Sequence, residues 1–165
     1  ANTTLMAIAP TKSSSFIHGA VSMGIEPIKS NYFIKDLAKT KTVYQNPFLK
    51  AELNKHGLDN KKTWDSILKK DGSVQHLDFP NKKVFKSFVE ISPKEIVLQA
   101  AQRQRYIDQS QSLNLMIDPS VSAKDINKLY IYAWEEGVKT LYYQFSQSSA
   151  QSFSRNILEC SSCEG

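Results

Sequence analysis

"SAKDINKLYIYAWEEGVKTLYYQ", residues 122–144, decides the fold class. Ser122 stands three positions before Asp125, a capping-box pattern with Asp in place of Glu. Ile126, Leu129, Tyr130, Ala133 and Trp134 follow at i, i+3, i+4, i+7 and i+8, which predicts one apolar helix face. Gly137 supplies the residue on which a helix commonly ends. "VKTLYYQ" then carries the β-branched and aromatic residues of a strand. Helix, glycine and strand in that order make the αβ half of an α/β unit.

Working outward, Ser92-Pro93-Lys94-Glu95 is a second capping box with proline at the first helical position. It predicts a helix through about Tyr106 or Ile107. "KVFKSFVE" (83–90) sets Val84, Phe85, Phe88 and Val89 on one helical face. A short helix is expected over Trp64 to Lys69, ending near Gly72, and another from the Asn46-Pro47 cap to about His56 and Gly57. Residues 24–31 read as loop. "LMAIA" (5–9) reads as a buried strand, stopped by Pro10 and followed by a turn and a helix start. From Ser146 onward "SQSSAQSFSRN" has little to bury and is expected to be flexible. There is no internal repeat. The strands are too few to close a barrel or complete a large sheet, so the chain reads as part of something larger.

The 165 residues can hold one domain with a real core, and 41% hydrophobic and 22% charged residues fit a soluble globular class. No apolar run is long enough for a transmembrane helix, and no signal-peptide pattern opens the chain. A first residue other than Met fits a removed initiator or a cleaved or engineered fragment. The net charge of +5 comes from lysines mixed with acids, without an arginine-rich stripe. That pattern reads as a solvated basic face, with weak attraction to acidic partners the alternative, and it points to neither nucleic acid nor membrane. Two cysteines make no secreted disulfide framework and favour a cytosolic setting.

Three groups of residues carry chemistry. "PTKSSS" (10–15) places hydroxyls and Lys12 where a strand turns into a helix. Unpaired amides there favour an anion, although ordinary capping by Ser or Thr explains the same residues. The absence of GxxxxGK[ST] argues against a P-loop nucleotidase. Tyr142-Tyr143 would point to opposite faces of a regular strand, so joint action needs an irregular backbone. Without joint action they are ordinary strand residues. Cys160 and Cys163 lie close to the C-terminus as C-x-x-C. A mobile dithiol for disulfide exchange needs that arrangement. A zinc half-site would need two more ligands, and His18, His56 and His76 are isolated. Incidental cysteines remain the bland alternative.

"NTTLMAIAPTKSSSFIHGAVSMGIEP" (2–27), "RQRYIDQSQSLNL" (103–115), "GVKTLYYQ" (137–144) and the terminal C-x-x-C, in this order, resemble the C-terminal part of the large, catalytic subunit of class I ribonucleotide reductase. The resemblance implies the last part of a ten-stranded α/β barrel over residues 1–145, incomplete without an N-terminal partner, and a redox tail over 146–165. It implies that Pro10, Thr11, Lys12, Ser13 and Ser14 bind the diphosphate of a ribonucleoside diphosphate. Lys12 departs from many family members, so backbone donors should matter more than that side chain. Tyr142 and Tyr143 would relay a radical from the small subunit, with their rings against each other. Cys160 and Cys163 would re-reduce the active-site disulfide and in turn be reduced by thioredoxin or glutaredoxin.

The resemblance also implies what is absent here. There is no cysteine before Cys160, so the radical-bearing and barrel redox cysteines belong to an N-terminal piece, together with the nucleotide effector sites. No cofactor is expected in this chain, and a dinuclear metal and radical centre is expected in the small subunit. The implied setting is a split enzyme for deoxyribonucleotide synthesis in the cytosol of a bacterium or a phage-infected host. A non-catalytic relic that binds the reductase is the alternative. A free-standing thiol-disulfide protein ranks below both, because such proteins place C-x-x-C at a helix N-terminus.

Overall fold

The structure, a computed structural model, describes residues 2–19, 22, 24–37 and 40–146; at residues 12, 13, 16, 34–37 and 40–42 it describes the backbone alone. Two compact units divide the chain, Ile8–Ser92 and Ala1–Ala7 with Pro93–Gly165.

In the unit Ile8–Ser92, helix α1 (Lys12–Ile17) starts directly after Thr11. Strands β1 (Tyr32–Leu37) and β2 (Thr40–Gln45) pair antiparallel, from Tyr32 opposite Gln45 to Leu37 opposite Thr40. The sequence reading placed no hairpin there, although Thr40, Thr42 and Val43 are β-branched. Helix α2 (Pro47–Lys55) begins as expected. The Asn46 side chain accepts from the amides of Phe48 and Leu49, and Gly57 beyond the C-cap takes φ +68°. Helix α3 (Lys61–Lys69) starts earlier than expected because the Asn60 side chain caps it by accepting from the Thr63 amide. Leu49, Leu53, Trp64, Ile67, Val74 and Phe79 form the core, with Tyr32, Leu58, Leu77 and Phe85 packed on it. Each fully buried side chain of this kind contributes roughly 2 kcal/mol.

Loops in this unit are pinned by a buried amide. Asn31 donates to the carbonyls of Gly72 (3.0 Å) and Phe85 (2.7 Å), and its own oxygen accepts from Asn46 Nδ2 at 2.8 Å. The helix expected over residues 83–90 is replaced by two 3₁₀ turns, Lys82–Phe85 and Phe88–Glu90. Glu90 folds back onto the amide and hydroxyl of Ser87, starting a new turn and interrupting the helical ladder. Phe88 is thereby buried while Val84 faces solvent.

In the other unit, helix α4 (Pro93–Gln104) buries Ile96, Val97, Ala100, Ala101 and Gln104. Strand β3 (Leu115–Met116) and helix α5 (Ala123–Glu135) both pack against α4. Strand β4 (Gln144–Phe145) pairs parallel with β3. Ser122 caps α5 by accepting from the Asp125 amide at 3.1 Å, and Gly137 closes it at φ +82°.

Two sequence expectations fail in this unit for one physical reason. Tyr130 and Trp134 belong to the apolar face expected of this helix, yet they are 44% and 76% exposed, and of that face only Leu129 and Ala133 are buried. "LMAIA" forms no regular strand at Leu5 and Met6, which are exposed. Apolar character makes a residue eligible for burial, but a neighbouring layer must cover it. The strand expected over 138–144 is likewise reduced to Gln144–Phe145. The tail from residue 147, with the expected flexibility and the C-x-x-C, lies outside the described residues.

Candidate functional site

The Pro10–Ser14 stretch lies in the unit Ile8–Ser92. At the two ends of α1 the Ser15 amide donates to the Thr11 carbonyl at 2.8 Å and the His18 amide to the Ser14 carbonyl at 3.0 Å. A helix starting there gives the amides of residues 12–14 no acceptor within the helix. Pro10, Thr11 and Ser14 are exposed, and Ser15 is buried. Amides at a helix start, beside hydroxyls, suit an oxyanion.

Tyr142 and Tyr143 lie in the other unit, on the segment leading into β4. Their ring centroids are 4.1 Å apart with planes tilted by 54°, and Phe145 lies 6.1 Å from Tyr143. The backbone explains how neighbouring residues achieve this. The β3–β4 register sets Leu115 opposite Gln144, with Leu115 donating to the Tyr143 carbonyl at 2.9 Å. Continued regularly, that ladder would send the Tyr143 amide to the Leu113 carbonyl. Instead the Tyr142 amide takes that carbonyl at 2.8 Å, and the Tyr143 amide is caught by the Asn114 side chain at 3.2 Å. The tyrosine side therefore carries one extra residue, a bulge, which re-aims one ring toward the other. Both rings are more than half exposed. A hydrogen bond with Tyr143, and the repulsion that a phenolate on Tyr143 would add, hold the Tyr142 phenol above its ordinary range.

A glutamine network supports this segment. Gln104 donates to the carbonyls of Ile107 (3.0 Å) and Gln109 (2.8 Å) and accepts from Gln111 Nε2 (3.1 Å) and the Lys139 amide (3.4 Å). Gln111 also donates to the Ala100 carbonyl at 2.8 Å, and the Thr140 hydroxyl bonds to the Gln111 carbonyl at 3.3 Å. Asp108 accepts from the amides of Leu5 (2.5 Å) and Met6 (2.7 Å), which hold its carboxyl below the usual carboxylate range. The Lys139 ammonium donates to the Asp108 carbonyl. Sequence reasoning assigned no task to Gln104, Gln111 or Asn114. A signal existed: Gln104 continues the Ile96, Ala100 row on the buried face of α4, where a polar residue demands partners.

Cys160 and Cys163 lie outside the described residues. Among the described residues no group of three His, Cys, Asp or Glu side chains could hold a metal, and no helix is long and apolar enough to cross a membrane.

Helices and a parallel strand pair joined through a bulged tyrosine segment define a piece of an α/β protein. Residues 1–144 match the family described as ribonucleotide reductase, barrel domain. The chain is 38% identical over 154 residues to the ribonucleoside-diphosphate reductase large subunit of Invertebrate iridescent virus 6, covering 88% of this chain and 16% of that protein. It is 35% identical over 151 residues to the ribonucleoside-diphosphate reductase subunit alpha of Chlamydia pneumoniae, covering 90% of this chain and 14% of that one. Among solved structures, the Actinobacillus ureae class Id ribonucleotide reductase alpha subunit matches with a TM-score of 0.80 at 52% identity, over 92% of this chain and 28% of that chain. The chain belongs to the ribonucleotide reductase large-subunit family, in its barrel domain. It spans between 14% and 28% of the length of these three relatives.

Proposed function

We propose that this chain supplies three parts of a class I ribonucleoside-diphosphate reductase. These are a substrate-phosphate loop at Pro10, Thr11, Lys12, Ser13 and Ser14, a radical relay at Tyr142 and Tyr143, and a tail dithiol at Cys160 and Cys163. It acts in the cytosol, assembled with the N-terminal part of the large subunit and with a small subunit whose dinuclear metal centre generates the radical. The observation that carries the reading is the pair of phenol rings 4.1 Å apart on a backbone bulge, in a chain of this family.

The overall reaction breaks the ribose C2′–O bond, forms C2′–H and releases water. A dithiol supplies the two electrons and ends as a disulfide. The residues of this chain serve that balance. Amides and hydroxyls at the start of α1 hold the diphosphate, fixing the ribose by its charged end. Tyr142, a neutral phenol at neutral pH like any tyrosine, gives up an electron and a proton together and passes the oxidation across the short gap between the rings. Cys160 and Cys163 return two electrons by thiol-disulfide exchange, and thioredoxin or glutaredoxin reduces them in turn.

The test is Tyr142→Phe and Tyr143→Phe, made separately in the assembled reductase. Deoxyribonucleotide formation should vanish with each variant, while subunit assembly and substrate binding stay within twofold of wild type. Turnover that survives either substitution refutes the relay.

A further inference from the structure

The two sides of the β3–β4 pairing are specified unequally. Around β3, Gln111, Leu113, Leu115 and Ile117 are buried and alternate with half-buried Ser112, Asn114 and Met116. A slip by one residue would turn Leu113, Leu115 and Ile117 toward solvent, so burial locks this side in place. On the other side, Tyr142 and Tyr143 are 53% and 57% exposed. Exchanging the faces of two half-exposed phenols changes burial little. The hydrophobic pattern therefore does not choose how the tyrosine segment pairs.

Two pairings compete there for one acceptor, the Leu113 carbonyl. In the regular pairing the Tyr143 amide donates to it, and the two rings fall on opposite faces. In the observed pairing the Tyr142 amide takes it at 2.8 Å, which displaces the Tyr143 amide. The displaced amide finds Asn114 Oδ1 at 3.2 Å. Since an N–H points at it, the carboxamide must turn its oxygen that way. A side-chain oxygen thus stands in for the main-chain acceptor that the bulge removes. The glutamines do not serve here: Gln104 and Gln111 hold the segment at Lys139 and Thr140, ahead of the bulge.

The geometry points to Asn114 as the positioning residue of the tyrosine pair: its side-chain oxygen selects the bulged pairing over the regular one and so keeps the two phenol rings in contact. The inference rests on the relay reading above and deepens it. Asn114 carries no electron or proton. It acts through the backbone of Tyr143, and the 4.1 Å ring separation is the consequence.

The test compares Asn114→Leu, which keeps the branching and loses the acceptor, with Asn114→Asp, which keeps an acceptor oxygen, both in the assembled reductase. Loss of one hydrogen bond shifts a balance between two pairings by about two- to twelvefold. In the structure of the Asn114→Leu assembly the Tyr143 amide should move to the Leu113 carbonyl and the rings should part to opposite faces. The Tyr142 amide, which gives up that carbonyl, should exchange with solvent about threefold faster or more. Turnover should fall by about threefold or more with KM within twofold, because substrate binding is untouched. Asn114→Asp should keep ring pairing, amide exchange and turnover within that threefold. Asn114→Ala gives the same comparison if Asn114→Leu does not assemble. An intact ring pair or unchanged Tyr142 exchange without the acceptor overturns the inference and leaves the relay reading standing. So does a KM that rises in step with the loss of turnover, or an Asn114→Asp variant as impaired as Asn114→Leu. Parted rings with wild-type turnover defeat the relay reading, and the positioning role with it.

Discussion

Gln104→Met tests whether the glutamine network holds the tyrosine segment. Methionine is unbranched and nearly the same length, so it fills the space without a cavity. It removes every hydrogen bond of a side chain that is 7% exposed. The Ile107 and Gln109 carbonyls lose a donor, and Gln111 Nε2 and the Lys139 amide lose an acceptor. Net values of about 0.5–1.5 kcal/mol per bond, with the 3.4 Å bond to Lys139 counted at the low end, give a loss of about 3 kcal/mol. The free energy for opening residues 139–143 should fall by a similar amount, so their amides should exchange about a hundredfold faster. The assay is hydrogen exchange on the assembled subunit, with α5 as the internal reference. Turnover should fall with little change in substrate affinity, because the substitution lies on the relay side. Exchange within threefold of wild type, together with unchanged turnover, would refute the claim that Gln104 ties α4 to this segment.

Gly72→Ala should destabilise the unit Ile8–Ser92 by more than about 3 kcal/mol. A Cβ there would sit 1.9 Å from Ser30 Oγ and 2.8 Å from the Asn31 amide, at a backbone φ of +84°; a melting temperature within two degrees of wild type would contradict this. In Tyr143→Phe, the Tyr142 phenol should ionise at lower pH, moving toward its ordinary value of about 10. The hydrogen bond and charge repulsion that raise it are gone; an unchanged ultraviolet phenolate titration would refute that cause. The Asp108 contact should be pH-dependent in one direction. The carboxyl is lowered in the folded state, so its contribution is present above its unfolded value and lost as pH falls through its folded value. Protection of the Leu5 and Met6 amides should therefore drop on acidification, and Asp108→Asn should abolish that dependence.

The local elements were legible where their cause is local. Asn46-Pro47 and Ser122 with Asp125 announce helix starts, because a cap needs only its own neighbours in sequence. Gly57 and Gly137 announce helix ends for the same reason. The family resemblance also came from ordered stretches of sequence. The hairpin at residues 32–45 was missed because strand preference shows itself only against a paired neighbour. The helix expected at 83–90 was misread because Glu90 closes on Ser87, a competition that apolar periodicity does not register.

The candidate site divides along the same line. Sequence alone determined that adjacent phenols, a hydroxyl-rich turn at residues 10–15 and a terminal dithiol occur in one chain, and that joint action of the phenols requires a departure from regular strand. Only the tertiary structure decided how that departure is made. The β3–β4 register is set by chain segments about thirty residues apart in sequence, and it leaves one amide for Asn114 to hold. Burial of Leu129 and Ala133 but not of Tyr130 and Trp134 was decided at the same level. Periodicity tells which face is apolar, whereas the neighbouring layers determine how much of that face leaves water.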